Sequence, residues 1–128
     1  SVGMVNATHA SDADAITESV LFHFDLGADL NIDAESDDGT TDNDDKATGT
    51  TLAAVYKKFT IDFTNGLSDI RFYIDGKRVA SGTTFSMASV SSGQNVQPFV
   101  QLHKASGTGT PAITIAQVRC LFKYAYGA

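Results

Sequence analysis

The stretch from Ile70 to Ala80, I-R-F-Y-I-D-G-K-R-V-A, decides the fold. Its Asp75-Gly76 pair sits between two short alternating runs, the strongest short-range hairpin signal a sequence carries. A type I′ turn needs positive φ at both central positions, which Asp tolerates and Gly adopts without penalty. Pairing across such a turn sets Phe72 opposite Val79 and Tyr73 opposite Arg78. Ile70, Phe72, Ile74 and Val79 then share one face, and Arg71, Tyr73 and Arg78 share the other. One face is apolar and the other polar, the pattern of a strand pair in a β-sandwich.

The rest of the chain repeats this pattern. Val2 to Val5 is a short strand, with Gly3 marking close packing or an edge. Ser19 to Asp25 alternates Val20, Phe22 and Phe24 against Leu21 and His23; both sets are rather apolar, which predicts a central or doubly covered strand. Leu30 to Glu35 is a weaker strand. Val55 to Phe63 is a strong one, with Val55, Phe59, Ile61 and Phe63 in phase and Lys58, Thr60 and Asp62 outward. Phe85 to Val90 reads as a short strand or extended loop. Val96 to Lys104 follows, with Pro98 favouring an edge or a strand start. Ile113 to Tyr124 is a long final strand whose apolar phase changes, so a β-bulge is expected near Ala116-Gln117. Between these lie polar connections: residues 6 to 18, with room for one helical turn capped by Ser11 or Asp12, and residues 36 to 51, a polar loop or long hairpin tip. Some seven strands joined by polar turns predict an all-β, antiparallel two-sheet sandwich, not βαβ units.

Composition agrees. The 128 residues make room for one domain with a real core, and the apolar content includes eight Phe and four Tyr but no Trp. No run approaches the length of an apolar membrane span, and no basic-apolar leader opens the sequence. The lone Cys120 lies in an apolar stretch and is expected to be a buried small hydrophobe, which suits a reducing or redox-indifferent setting. Charge is divided along the chain: residues 1 to 45 carry a formal charge of −12 and residues 46 to 128 carry +6. Such polarity either steers assembly or is cancelled by interleaving of the two halves on folding.

Catalytic chemistry has no foothold in this pattern. There is no G-x-S-x-G elbow, phosphate-binding loop or dinucleotide fingerprint, so no enzyme is expected. His9, His23 and His103 are far apart in sequence, and His23, between Phe22 and Phe24, reads as a satisfied strand histidine. Asp33, Glu35, Asp37, Asp38, Asp42, Asp44 and Asp45 crowd one acidic stretch, and Asp37, Asp38, Asp42 and Asp44 are its candidate cation ligands. Their spacing does not match an EF-hand loop, and a solvated polar loop explains them equally. The basic pairs Lys57-Lys58 and Lys77-Arg78 form no continuous stripe, which argues against nucleic acid. Arg71, Tyr73, Arg78 and Tyr56 are the candidate partner-contact residues, and exposed tyrosines with nearby Asp and Asn leave a shallow glycan site open.

Taken together, V-Y-K-K-F-T-I-D-F at 55 to 63, I-R-F-Y-I-D-G-K-R-V-A at 70 to 80, V-Q-P-F-V-Q-L-H-K at 96 to 104 and A-I-T-I-A-Q-V-R-C at 112 to 120 resemble the C-terminal part of a concanavalin-like jelly roll. The chain is especially similar to the lectin-like structural proteins of tailed bacteriophages. The resemblance implies one jelly-roll domain over residues 1 to 128, or the C-terminal part of one. Further strands would then precede Val2 to Val5, supplied by an N-terminal portion outside this sequence or by a partner. It also implies a virion structural protein, above all a capsid decoration (cement) protein. Its partners would be the major capsid protein and copies of itself, as trimers at local three-fold positions. It would lie on the capsid surface after synthesis in the host cytoplasm, with no cofactor, nucleic acid or membrane. A carbohydrate-binding lectin-like module is the alternative.

Overall fold

A computed structural model describes residues 1–6, 13, 15–24, 30–89, 96–104 and 107–121. The described residues contain eight strands and no helix: β1 (Val2–Val5), β2 (Ser19–Phe24), β3 (Asn31–Asp37), β4 (Asp42–Thr51), β5 (Phe59–Asp62), β6 (Arg71–Ile74), β7 (Lys77–Val79) and β8 (Gln97–Val100). They form two antiparallel sheets, one of five strands in the order β4-β3-β2-β1-β8 and one of three in the order β5-β6-β7. The arrangement is a two-sheet sandwich, consistent with a generic jelly-roll-like fold.

The Asp75-Gly76 hairpin forms as its residues dictate. Phe72 pairs with Val79, Tyr73 with Arg78 and Ile74 with Lys77. The turn residues take φ of 52° at Asp75 and 80° at Gly76, the type I′ requirement. The Asp75 carboxylate accepts the Lys58 backbone N–H at 2.8 Å and its own N–H donates to the Lys58 carbonyl at 2.9 Å, tying the hairpin tip to the segment before β5.

The core lies between the sheets. Val20, Phe22, Ile32 and Ala34 of the large sheet meet Ile70, Phe72, Ile74, Val79, Phe85 and Met87 from the small sheet and the chain after it. Phe22 and Phe72 meet edge to face at 5.0 Å, and Phe22 also touches Phe59 at 4.9 Å. Each fully buried phenylalanine contributes about 1.5–3 kcal/mol by leaving water, and an edge-to-face pair adds about 0.5–1.5 kcal/mol. A second cluster, Val5, Ala13, Ile16, Leu21 and Phe99, covers the opposite side of the large sheet. This explains the apolar Leu21: β2 is paired on both sides, by β1 and β3, and covered on both faces. Gly3 has a packing reason of the same kind. A Cβ there would stand 2.2 Å from the Val20 carbonyl oxygen and 2.5 Å from the Leu21 Cα, both of them backbone atoms.

Several sequence expectations need correction. Of the two readings of residues 36 to 51, the long hairpin forms and the polar loop does not: β3 runs on to Asp37, and the ten-residue β4 pairs back along it with two register shifts. As an edge strand, β4 meets most of its backbone needs through one ladder and requires no apolar stripe. The strand expected from Val55 to Phe63 is formed only over Phe59–Asp62, and Val55 is 64 % exposed. The strand expected from Ile113 to Tyr124 is absent over its described part, so no bulge forms at Ala116-Gln117; Phe122 to Tyr124 lie outside the described residues. Accordingly Cys120 is exposed, not buried. Strand geometry needs a ladder partner, and the 107–121 segment has none among the described residues. Val96 to Lys104 is paired only over Gln97–Val100, where Pro98 sits on the outermost strand of its sheet. Phe85 makes a single bridge to Ile70. Ser11, Asp12 and Val90 fall outside the described residues.

Candidate functional site

Three groups of polar side chains stand out on the sandwich. The first is the outer face of the small sheet. Because β6 alternates, Phe72 and Ile74 point to the core while Arg71 and Tyr73 point away. Cross-strand pairing then places Tyr73 between Thr60 and Arg78, and Arg71 beside Asp62. The structure thus brings Arg71, Tyr73 and Arg78 to one face; Tyr56 stands exposed on the segment leading into β5. Arg71 Nη2 donates to Asp69 Oδ2 at 2.9 Å, and Asn65 Nδ2 donates to the same oxygen at 2.6 Å. These hydrogen bonds, from Asn65 first and Arg71 second, hold the Asp69 carboxyl below its ordinary range. The bond to Asp69 likewise raises Arg71. A guanidinium held by a carboxylate, with Tyr73 and a second arginine on the same face, makes a polar contact surface.

The second group is the turn between β3 and β4. Asp38 is buried, and each of its carboxylate oxygens accepts two hydrogen bonds. Oδ1 takes the Thr40 and Thr41 amides at 3.1 and 2.8 Å; Oδ2 takes the Ser86 hydroxyl at 3.3 Å and the Ser89 amide at 3.1 Å. Burial alone would raise its pKa, but these four donors together hold it below the ordinary carboxylate value. Asp37 behaves oppositely. Burial raises its pKa, the Gly39 amide partly offsets this, and the charges of Asp42 and Asp38 add to the rise. Asp37 and Asp42 face each other across the strand pair and line a shallow cleft with Thr17, Gly39 and Thr40. Of the four candidate cation ligands, then, Asp37 and Asp42 come together, Asp38 turns to the loop amides and Asp44 stands exposed on β4.

The third group is on the outer face of the large sheet. His23 Nδ1 lies 2.8 Å from Glu35 Oε1, so the strand histidine is satisfied by a buried carboxylate on the neighbouring strand. Asp45 joins them: ligand-type atoms of His23, Glu35 and Asp45 all lie within 4.8 Å of one another. This grouping is not legible in the sequence. His23 and Glu35 share a face only once Leu21 is known to pair with Glu35. Asp45 reaches that face through an irregularity in the β3–β4 register between Ala34 and Ser36, where its φ is 49°. The one available signal was the odd-numbered parity of His23, Asp33 and Glu35, opposite to the core residues.

Compared with protein-family models, with curated proteins and with solved structures, the chain matches none, and its all-β sandwich rests on its own geometry.

Proposed function

We propose that this chain is a virion structural protein, a decoration (cement) protein that stabilises a bacteriophage shell through contacts with the major capsid protein and with copies of itself. One observation carries the reading. Residues 107 to 121 form no strand and are exposed, with Ile113, Ile115, Val118 and Leu121 all open to solvent, and the two sheets each end, among the described residues, in an edge strand paired on one side only. An apolar segment without a ladder leaves backbone groups and side chains that another chain can satisfy. The resemblance of the hairpin and of the 96–104 and 112–120 runs to phage lectin-like modules supports the same reading as an analogy of fold. The outer face carrying Arg71, Tyr73 and Arg78 would supply polar contacts at the rim of such an interface. Shell stabilisation then follows by mass action, since every copy bound to the assembled state adds interface that the disassembled state lacks.

The test is the solution mass of the chain by light scattering, with and without Ile115→Lys and Val118→Lys. The reading expects an oligomer that the paired substitution converts to monomer, with Cys120 protected from thiol reagents in the first and reactive in the second. A wild-type monomer at about 100 µM, far above the Kd of a standard interface, overturns self-assembly. Glycan-array binding that persists in the doubly substituted chain would instead favour a lectin-like module.

A further inference from the structure

We propose that His23, Glu35 and Asp45 form a binding site for one divalent transition-metal ion, with zinc the best-matched species, that pins the edge strand β4 to β3 and β2. The proposal is independent of the virion reading. Three adjacent strands each supply one donor to the same outer face: His23 from β2, Glu35 from β3 and Asp45 from β4.

The donor set selects the metal class. One imidazole nitrogen with two carboxylates suits zinc, whereas calcium takes six to eight oxygens and magnesium keeps an octahedral oxygen shell. Zinc bonds of about 2.0–2.2 Å in a tetrahedron place the ligand atoms about 3.3–3.5 Å apart. Here the imidazole and Glu35 atoms are 2.8 Å apart, and no pair among the three exceeds 4.8 Å. Zinc distance then requires the His23 and Glu35 atoms to separate by about 0.5–0.7 Å and the exposed Asp45 side chain to rotate toward them. Water completes the fourth position.

Burial and backbone point the same way. Glu35 is 4 % exposed, so its charge gains from a cation at short range more than a surface carboxylate would. The histidine–glutamate hydrogen bond accounts for two of the residues and leaves the third unexplained. Asp45 arrives where the β3–β4 register shifts, in a left-handed conformation uncommon for a non-glycine residue. Strand irregularities of this kind commonly re-aim a side chain. On binding, zinc takes the place of any proton on His23 Nδ1, and that proton leaves to solvent.

The experiment is isothermal titration of chelator-treated full chain with Zn²⁺, together with Co²⁺ substitution read by visible absorption. One ion per chain is expected, with a d–d spectrum of tetrahedral type and a melting temperature that rises with free zinc. Asp45→Asn, at an exposed position, keeps the circular dichroism of the fold and weakens binding 10-fold or more. His23→Gln abolishes binding, and His103→Gln leaves it unchanged. Absence of binding at about 100 µM Zn²⁺, equal binding by wild type and Asp45→Asn, or calcium binding as tight as zinc binding overturns the proposal.

Discussion

Replacing Asp38 with Asn removes one oxygen from a buried carboxylate that accepts four hydrogen bonds. The wild-type carboxylate accepts from Thr40 and Thr41 on one oxygen and from Ser86 and Ser89 on the other. An asparagine keeps one acceptor and turns an NH2 group toward donors on the other side, so either the turn amides or the Ser86–Ser89 segment loses its acceptor. A hydrogen bond to a charged group contributes about 1.5–3 kcal/mol, and a buried donor left without a partner costs about 1–3 kcal/mol. With two donors affected and partial relaxation of the turn, the expected loss is about 2–4 kcal/mol at pH 7. Chemical denaturation should show it as a lower midpoint at unchanged m-value. The pH dependence gives a second reading with a definite sign. Because the folded-state pKa of Asp38 lies below its unfolded value, the unfolded chain binds more protons between the two. The stabilisation is therefore complete above the unfolded pKa, near 4, and is lost as pH falls through the folded value. The gap between wild type and Asp38→Asn should shrink over that acid range. A loss below about 1 kcal/mol, or a gap that does not change with pH, would refute the account of Asp38 as the charged anchor between the β3–β4 turn and residues 86–89.

Two further substitutions test the large sheet. Gly3→Ala should cost about 3 kcal/mol or more in the same assay, because the new methyl meets the Val20 carbonyl oxygen and the Leu21 Cα, neither of which can rotate away; an unchanged midpoint would mean that β1 does not lie against β2 as described. Asp37→Asn should stabilise by about 0.3–1 kcal/mol at pH 7, screened by the exposure of Asp42, since it removes a like charge directly across the strand pair and retains an acceptor for the Gly39 amide. The Asp37 pKa is raised on folding, so this gain should vanish as pH falls below the unfolded carboxylate value; a destabilised variant at neutral pH would contradict it.

The small sheet was legible because its information is local. Two turn residues with positive φ fix the register of the hairpin, and that register decides which side chains face the core, so Phe72, Val79, Tyr73 and Arg78 could be placed from eleven residues alone. The large sheet was legible in its apolar strands and not in β4, an edge strand whose Asn43 pairs with Ser36 of β3 and which carries no apolar stripe to betray it. The candidate sites failed to appear for a related reason. Asp38 stands in an acidic run where charge density suggests a cation, yet its donors are the Thr40 and Thr41 amides just ahead of it and the Ser86 hydroxyl and Ser89 amide forty-eight and fifty-one residues away. His23, Glu35 and Asp45 converge only through the β2–β3 register and a strand irregularity, neither of which any local motif encodes.

The 107–121 segment inverts this logic. Its sequence is as strand-like as that of β2, with Ile113 and Ile115 in one phase and Val118 and Cys120 in the other, yet it forms no strand among the described residues. Period-two apolarity states only that a segment gains by pairing and by covering one face; it does not say whose edge it pairs with. β2 meets both requirements inside the chain, with a neighbour on each side and apolar cover on each face. Among the described residues the later segment meets neither, and Ile113, Ile115, Val118 and Leu121 are exposed. Among the described residues this strand signal is left unspent, and it is on this geometry that the proposal of assembly rests: a segment with period-two apolarity gains by pairing with whichever edge it reaches.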